Sequence, residues 1–376
     1  MLFTSESVTS GHPDKICDYV SDSLLDAILA QDPYAKVALD TWVKDNNAGV
    51  IGELTTSATI EVESLVRKAI LDIGYNSDEL GFNGNTCQVH LNIGSQSQEI
   101  NSAVVNDLNI GAGDQGLMFG YACRQTEELM PLPISLAHKL AQQLEQARRS
   151  REAGNDYTLR PDGKTQVTIR YNDQGIAEEI DTILISTQHR PDVSKFELTK
   201  ILMQEVIYPV VESMGLEGIF HAPKVFINPS GSFVLGGPVA DSGLTGRKIV
   251  VDGYGGYARV GGGAFSGKDA TKVDRSGAYA ARQIAKSIVA RDMASECEVQ
   301  VSYAIGKAEP TSLSIFGKLN RPESEIIKFV NQNFDMRPRA IIERLRLTNP
   351  IFAKTSSYGH FGRKPENGSF TWEEIV

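Results

Sequence analysis

Three repetitions of one pattern predict an α+β fold of three related domains. A helix with apolar residues at helical spacing occurs three times along the 376 residues. Each is followed by two strand-like runs, and each pair of runs by a further helix. Adjacent runs pair antiparallel, and helices then cover one face of each sheet, a pseudo-threefold arrangement.

The first unit places Ile16, Val20, Leu24 and Ile28 on one helix face, then "KVALDTWV" and "GELTTSATIEV", then the helix "ESLVRKAILDIG". The second carries Ala137, Leu140, Ala141 and Leu144, then "TQVTIRY" and "EIDTILISTQ", then "KFELTKILMQEVI". Its two runs are joined by "NDQG", where Asn172, Asp173 and Gly175 supply turn chemistry. The third carries Ala281, Ile284, Ala285 and Ile288, then "CEVQVSYAIG" and "TSLSIFG", then "SEIIKFVNQNF". Joints are expected in the polar stretch near Asn101–Gly111 and at Gly236–Pro238. The domains expected are 1–100, 111–235 and 236–376.

A net charge of −10 at pH 7 argues against nucleic acid or an anionic membrane as the main partner. No apolar run approaches the roughly 18 residues of a membrane span, and the start "MLFTSESVTSGHPDK" is unlike a signal peptide. Cys17, Cys87, Cys123 and Cys297 form no C-x-x-C pair, which fits free thiols in a reducing cytoplasm. The six histidines show no zinc-type spacing. Oxygen-bound magnesium is the metal expected.

Against that acidic background one window is basic. Between Asp241 and Ala290 eight Lys/Arg face four Asp and no Glu, with ten glycines among them. Clustered cations and bare backbone amides suit a polyphosphate. Within the window "GGAFSGK" reads G-x-x-x-x-G-K from Gly262, as a P-loop does. A P-loop continues with Ser or Thr, and this chain has Asp269. The strand expected over "RKIVVD" ends well upstream, and the periodic helix is expected to start near Ser276. A phosphate loop other than a Walker loop is the reading these spacings support.

Other Gly-rich turns carry an acid or a base. In "SGHPDK", His12 offers a contact to a phosphate or a leaving oxygen, and Asp14 a magnesium ligand. The plainer alternative is that Asp14 only caps the helix that follows and His12 is solvated. "GAGDQG" presents Asp114, "RPDGK" presents Lys164, and "DSGLTGRK" presents Arg247 beside Lys248. Neighbours on a strand face opposite ways, so both cations reach one ligand only if the chain turns there. Together these turns favour a magnesium–polyphosphate site assembled from several domains. A triphosphatase, another nucleotide-using transferase, and a non-catalytic protein that binds nucleotide or stabilises a partner's oligomer all remain open on the residues alone.

At these stretches the chain resembles the methionine adenosyltransferase (S-adenosylmethionine synthetase) family over nearly its whole length. The resemblance is carried by "FTSESVTSGHPDKICD", "GELTTSA", "GAGDQGLMFGYA", "LRPDGKTQV", "STQH", "DSGLTGRKIVVDGYGG", "GGGAFSGKDATKVDRSGAYAAR", "VSYAIG" and "YGHFGR". It implies attack of the methionine sulfur on C5′ of ATP, displacement of the triphosphate, and its cleavage to pyrophosphate and phosphate. By motif it implies that His12, Lys164, Arg247, Lys248 and Lys268 act on the triphosphate. Asp162, Gly163, Ser232, Phe233, Asp241 and Ala264 would complete the ATP site. Glu53, Gln96, Asp114, Asp241 and Lys272 would line the methionine end. Asp14 and Asp274 would hold magnesium and Asp40 potassium. Residues from Gln96 to about Asn106 correspond to a gating loop. The resemblance also implies a homodimer or homotetramer with active sites between subunits.

The chain departs from the family pattern at five places. Asp40 stands where Glu is usual, Ser232 where Arg is, and Ser95 and Gln98 replace the Lys and Pro of the gate. Ala270 replaces a Pro. These put potassium dependence, ATP affinity and gating in question, and none removes a residue assigned to the chemistry.

Overall fold

In this computed structural model, residues 1–95, 105–106 and 109–376 are described. Strands β1 (Leu2–Val8), β2 (Lys36–Lys44), β3 (Asn47–Thr55) and β4 (Gln88–Gly94) accompany helices α1 (Pro13–Leu29) and α2 (Val62–Ile73). Next come β5 (Val105–Asn106), β6 (Asn109–Ile110), β7 (Gly116–Cys123), α3 (Leu132–Ala153), β8 (Leu159–Tyr171) and β9 (Ala177–His189). They are followed by α4 (Lys195–Leu202), a π-helical turn, α5 (Tyr208–Ser213), β10 (Lys224–Ile227), α6 (Gly237–Ala240), β11 (Gly243–Leu244) and α7 (Ile249–Asp252). The chain ends with α8 (Val273–Ala290), β12 (Ala294–Tyr303), β13 (Ser312–Leu319), α9 (Glu323–Asn333) and α10 (Pro338–Arg344).

Three hairpins form, β2 with β3, β8 with β9, and β12 with β13, all antiparallel, but β3 lies earlier than "GELTTSATIEV", ending at Thr55 with no strand over 56–61. Alternating burial along β2 and β8 shows why the hairpins form, since one face of each strand is apolar and covered. The long helices α1, α3 and α8 lie against these sheets.

Sequence order did not reveal how the units interlock. The three main sheets run β11-β2-β3-β4, β1-β8-β9-β10 and β7-β12-β13, with β5 and β6 forming a two-stranded pair of their own. In each main sheet, a strand from a different unit lies antiparallel to the first hairpin strand. β1 from the N-terminal unit joins the central sheet, β7 joins the C-terminal sheet, and β11 returns to the N-terminal one. The exchange is therefore cyclic, and it repeats the threefold relation at the level of edge strands. In two sheets a fourth strand, β4 or β10, adds in parallel.

The cores follow the same division. One apolar cluster joins α1, α2 and α8 with the first and third sheets, and a second lies beneath α3, α4 and α5. Because β1 leads directly into α1 while pairing with β8, the segment between them is held against the central unit. Thr9 N–H donates to Gly163 O at 2.9 Å there.

Candidate active site

Helix α1 organises the site. His12 caps its N-terminus: the ring Nδ1 accepts from Asp14 N–H at 3.2 Å, and Pro13 occupies the first turn. The cap is thus His12 and not Asp14, and His12 is buried, not solvated. With Nδ1 accepting, the neutral ring carries its proton on Nε2. Burial first, then the ammonium groups of Lys248 and Lys164, pull the imidazole pKa down to about 3. His12 is therefore neutral at pH 7, with a donor available to an anion.

From Asp14 onward, aspartates recur every fourth residue and so share one helix face, about 6 Å apart along the axis. Each carboxylate binds the backbone of another stretch. Asp14 accepts from Leu244 N–H at 3.0 Å and Asp18 from Gly246 N–H at 2.9 Å. Asp22 accepts from Gly267 N–H at 2.9 Å, and Asp26 from Phe352 and Ala353 at 2.9 and 2.8 Å. The "DSGLTGRK" and "GGAFSGKD" stretches are thereby laid along the same helix. They also touch each other, Ala264 packing against Gly246.

At the first of these stretches the strand expected over "RKIVVD" is replaced by the short helix α7. Gly246, at φ 79°, turns the chain away from β11. Asp252 is then drawn inward to the buried ammonium of Lys15. The turn has a consequence for the cations. Lys248 Nζ donates to Asp14 Oδ2 at 2.6 Å, and an Arg247 guanidinium nitrogen lies 3.7 Å from Asp14 Oδ1. Adjacent residues reach one carboxylate. Burial works to raise the Asp14 pKa, but its bonds with Lys248 and Leu244 outweigh that and hold it low.

Lys164 and Asp162 arrive on β8 from the central unit, close enough to His12 and to each other to influence their charges. Asp162 is buried. One of its oxygens accepts from Gly237 N–H at 2.8 Å, while Oδ1 has no hydrogen-bond partner. Burial lifts its pKa to about 6, with Asp241 among the neighbouring charges. Gly163 lies between Asp162 and Lys164 on the same strand. Phe233 is tied to His189, donating its N–H to Nε2 at 3.1 Å, and Ser232 beside it is exposed.

At the other end of the site, the glycine-rich loop is no Walker loop. No strand lies between α7 and the loop, and α8 begins at Val273, earlier than periodicity indicated. Gly267 adopts φ 81° and approaches the backbone of Leu39 too closely for a side chain. Asp269, where a P-loop has a hydroxyl, is a buried lock. It accepts from Val37 N–H at 2.7 Å, from Thr271 N–H at 2.9 Å and from Lys272 Nζ at 2.5 Å. This leaves Lys268 on the opposite side of the loop, donating to Asp274 Oδ2 at 2.7 Å.

The residues expected at the methionine end are less closely gathered. Glu53 and Asp40 are exposed neighbours on the outer face of β2 and β3. Asp114 is exposed and accepts from Gln115 N–H, in a turn where Gly113 packs on the backbone of Thr271. Asp241 accepts from Ser242 N–H. Lys272 is engaged by Asp269. Gln96, Gln98 and most of the expected gate, 96–104, lie outside the described residues.

Among the described residues no three His, Cys, Asp or Glu side chains gather as a metal cage. Asp14 and Asp274 instead stand singly, each beside a lysine. One carboxylate per ion is the donor set magnesium takes when phosphate oxygens supply the rest of its coordination.

Three family models match the chain in sequence order. They are S-adenosylmethionine synthetase N-terminal domain over residues 1–98, central domain over 109–233 and C-terminal domain over 235–374. The chain belongs to the S-adenosylmethionine synthetase family. Its class follows: a transferase, methionine adenosyltransferase, forming S-adenosylmethionine from ATP and methionine. The family's substrates account for a site rich in cations on an otherwise acidic protein. The family generally uses magnesium and potassium. Among the described residues no helix is long and apolar enough to cross a membrane.

Further residues hold this candidate site in place. Asp18 and Asp22 were legible as an i, i+4 series beginning at Asp14. Tyr358, half-buried at φ 64°, accepts from Ser10 N–H at 3.3 Å and bonds Glu145. It opens the "YGHFGR" stretch, but its role does not show in that motif, because its partners are more than 200 residues away.

Proposed function

We propose that the methionine sulfur displaces the whole triphosphate from C5′ of ATP, and that the same site then cleaves it to pyrophosphate and phosphate. The observation that carries this is the meeting of His12, Asp14, Lys164, Arg247 and Lys248, from all three units, at the start of α1. Sulfur donates the new bonding pair, and the C5′–O pair departs with the triphosphate. A thioether has no proton to lose, so this step needs no base.

The leaving group gathers negative charge, and the chain's residues answer that. Lys164, Arg247, Lys248 and Lys268 stabilise the triphosphate oxygens, and His12 donates from Nε2 to the leaving side. Losing one such contact typically costs about 2.7–4 kcal/mol of barrier. Holding sulfur and C5′ in line supplies roughly 7–11 kcal/mol more. Asp162, with an unpartnered buried oxygen, accepts a donor from the nucleotide. Gly163, Ser232, Phe233, Asp241 and Ala264 complete the ATP surface. Glu53, Gln96, Asp114, Asp241 and Lys272 serve the methionine end, with Lys272 exchanging Asp269 for substrate. Asp14 and Asp274 would hold magnesium, which when bound neutralises charge on the phosphates. Asp40 would contact potassium.

A homodimer or homotetramer is part of the proposal. Ile51, Leu91, Leu117, Leu244 and Phe316 are exposed on strands of two sheets, apolar surface suited to a second subunit. Cytoplasmic placement accords with four buried free thiols. Domain limits of 1–100, 111–235 and 236–376 are retained.

Mass spectrometry of reactions containing ATP, magnesium and potassium, with and without L-methionine, tests the reading. S-adenosylmethionine with matching pyrophosphate and phosphate is expected. Phosphate release that ignores methionine would overturn it.

A further inference from the structure

A cavity of about 810 Å³, lined by none of the candidate site residues, lies between α3, the end of α5 and residues 358–370. Its apolar lining includes Leu132, Met214, Leu216, Phe361 and Phe370. Arg363 lines the same space and is half-buried. One guanidinium nitrogen donates to Ser357 O at 3.1 Å and to Gly359 O at 3.4 Å, and the group lies over the Phe370 ring at 4.5 Å.

Among the described residues no carboxylate reaches this guanidinium within ion-pair distance. Burial pulls the Arg363 pKa down, and the more distant carboxylates of Glu366 and Glu373, which act against that, do not outweigh it. The wall opposite adds no second inner cation. His138 is buried, bonded through Nδ1 to Ser7 Oγ, and kept neutral by a pKa lowered to about 3. The exposed rim is mixed, with Glu127, Glu212 and Glu366 set against Lys139 and Lys364.

We propose that this cavity is a binding site for a small organic monocarboxylate with an apolar body, its carboxylate on the fork of Arg363. One guanidinium balances one negative charge and matches a carboxylate's two oxygens. A phosphate dianion would need another inner cation, which the neutral His138 does not supply. The apolar body packs between Phe361, Phe370 and Leu216. A ligand here touches the segment that holds the active site: Arg363 grips the carbonyls on either side of Tyr358, and Tyr358 holds Ser10, two residues before His12.

Calorimetric titration of the full-length protein with sodium phenylacetate, and with acetate for comparison, tests this without requiring turnover. Saturable one-site binding of phenylacetate is expected, at least tenfold tighter than acetate. Arg363→Met should weaken it at least tenfold. Since Arg363 also holds two carbonyls, Met214→Glu is the second variant, placing a repelling charge on another wall, with the same expected loss. Lys268→Ala should leave phenylacetate binding unchanged. No saturable binding to the wild-type protein, equal binding to Met214→Glu, or loss in Lys268→Ala would overturn the proposal.

Discussion

Lys248 and Asp14, 234 residues apart, meet at 2.6 Å, and the same carboxylate accepts the Leu244 N–H at 3.0 Å. One short side chain on the first turn of α1 thus fixes both the position of a cation and the backbone that presents it. A carboxylate already holding a lysine can exchange that partner for a metal ion once the lysine turns to phosphate. Asp14→Asn keeps the shape but removes the charge. Turnover should fall at least tenfold, and more magnesium should be needed for half-maximal rate. An unchanged magnesium titration in steady-state assays would remove Asp14 from the metal site.

Lys268 and Lys164 enter the site from different units and, on the proposed chemistry, each stabilises charge on the departing triphosphate. Lys268→Ala and Lys164→Ala should each lower kcat at least tenfold, and a full loss of contact would approach 10²–10³. Circular dichroism and melting should remain near wild type for Lys164→Ala, since Lys164 is exposed. Wild-type turnover in either variant would refute the role given to it.

The helices, hairpins and cationic window were legible because each is written locally: period 3.6, period 2, and a run of glycines with lysines and arginines. Edge-strand exchange was not. β1, β7 and β11 are ordinary short strands, and which sheet they join depends on contacts made across more than 100 residues. "RKIVVD" was misread for the same reason, as Lys15 and Gly246 decide its shape and not its β-branched residues. The aspartate ladder lies between these cases. Its spacing was in plain sight, yet an i, i+4 series of acids on a helix usually faces water, and only the loops laid over it bring Asp18 and Asp22 into the interior.

Asp22 and Arg275 are both fully buried and joined by two hydrogen bonds of 2.8 Å. Removing one partner strands the other as an unpaired buried charge. Asp22→Ala should therefore cost about 3–5 kcal/mol of stability, and it also frees Gly267, so the Lys268 loop should loosen with it. Urea unfolding with the amide protection of Gly267 measured alongside checks both effects. A loss below 1 kcal/mol would show that Arg275 finds another partner.

Asp40 lies beside Glu53 on the open face of the first sheet, one methylene shorter than the residue usual in the family. A monovalent ion held there would be gripped less closely. Asp40→Glu is expected to increase stimulation of turnover by potassium. Superimposable potassium titrations for the two proteins would dispose of the idea.

His138 gives the fold a dependence on acid that can be isolated. Its pKa is about 3 in the folded protein because it is buried, and 6.5 is the ordinary value when the chain unfolds. Between those limits the unfolded chain holds the extra proton, so His138 contributes fully above pH 6.5 and loses its contribution as pH falls toward 3. Lowering the pH from 6.5 to 5 removes about 1.6 kcal/mol through this one group. Asp162 and Asp26, with pKa values raised to about 6 by burial, act in the opposite sense, because they take up protons first in the folded state. Total stability mixes these effects, but comparison with His138→Gln separates them. The stability difference between wild type and His138→Gln, measured by urea unfolding, should shrink by about 2 kcal/mol between pH 7.5 and pH 5. A difference that stays constant across that range would mean the histidine gains a partner for its proton on acidification, and Ser7, bonded to Nδ1, would be the first group to examine.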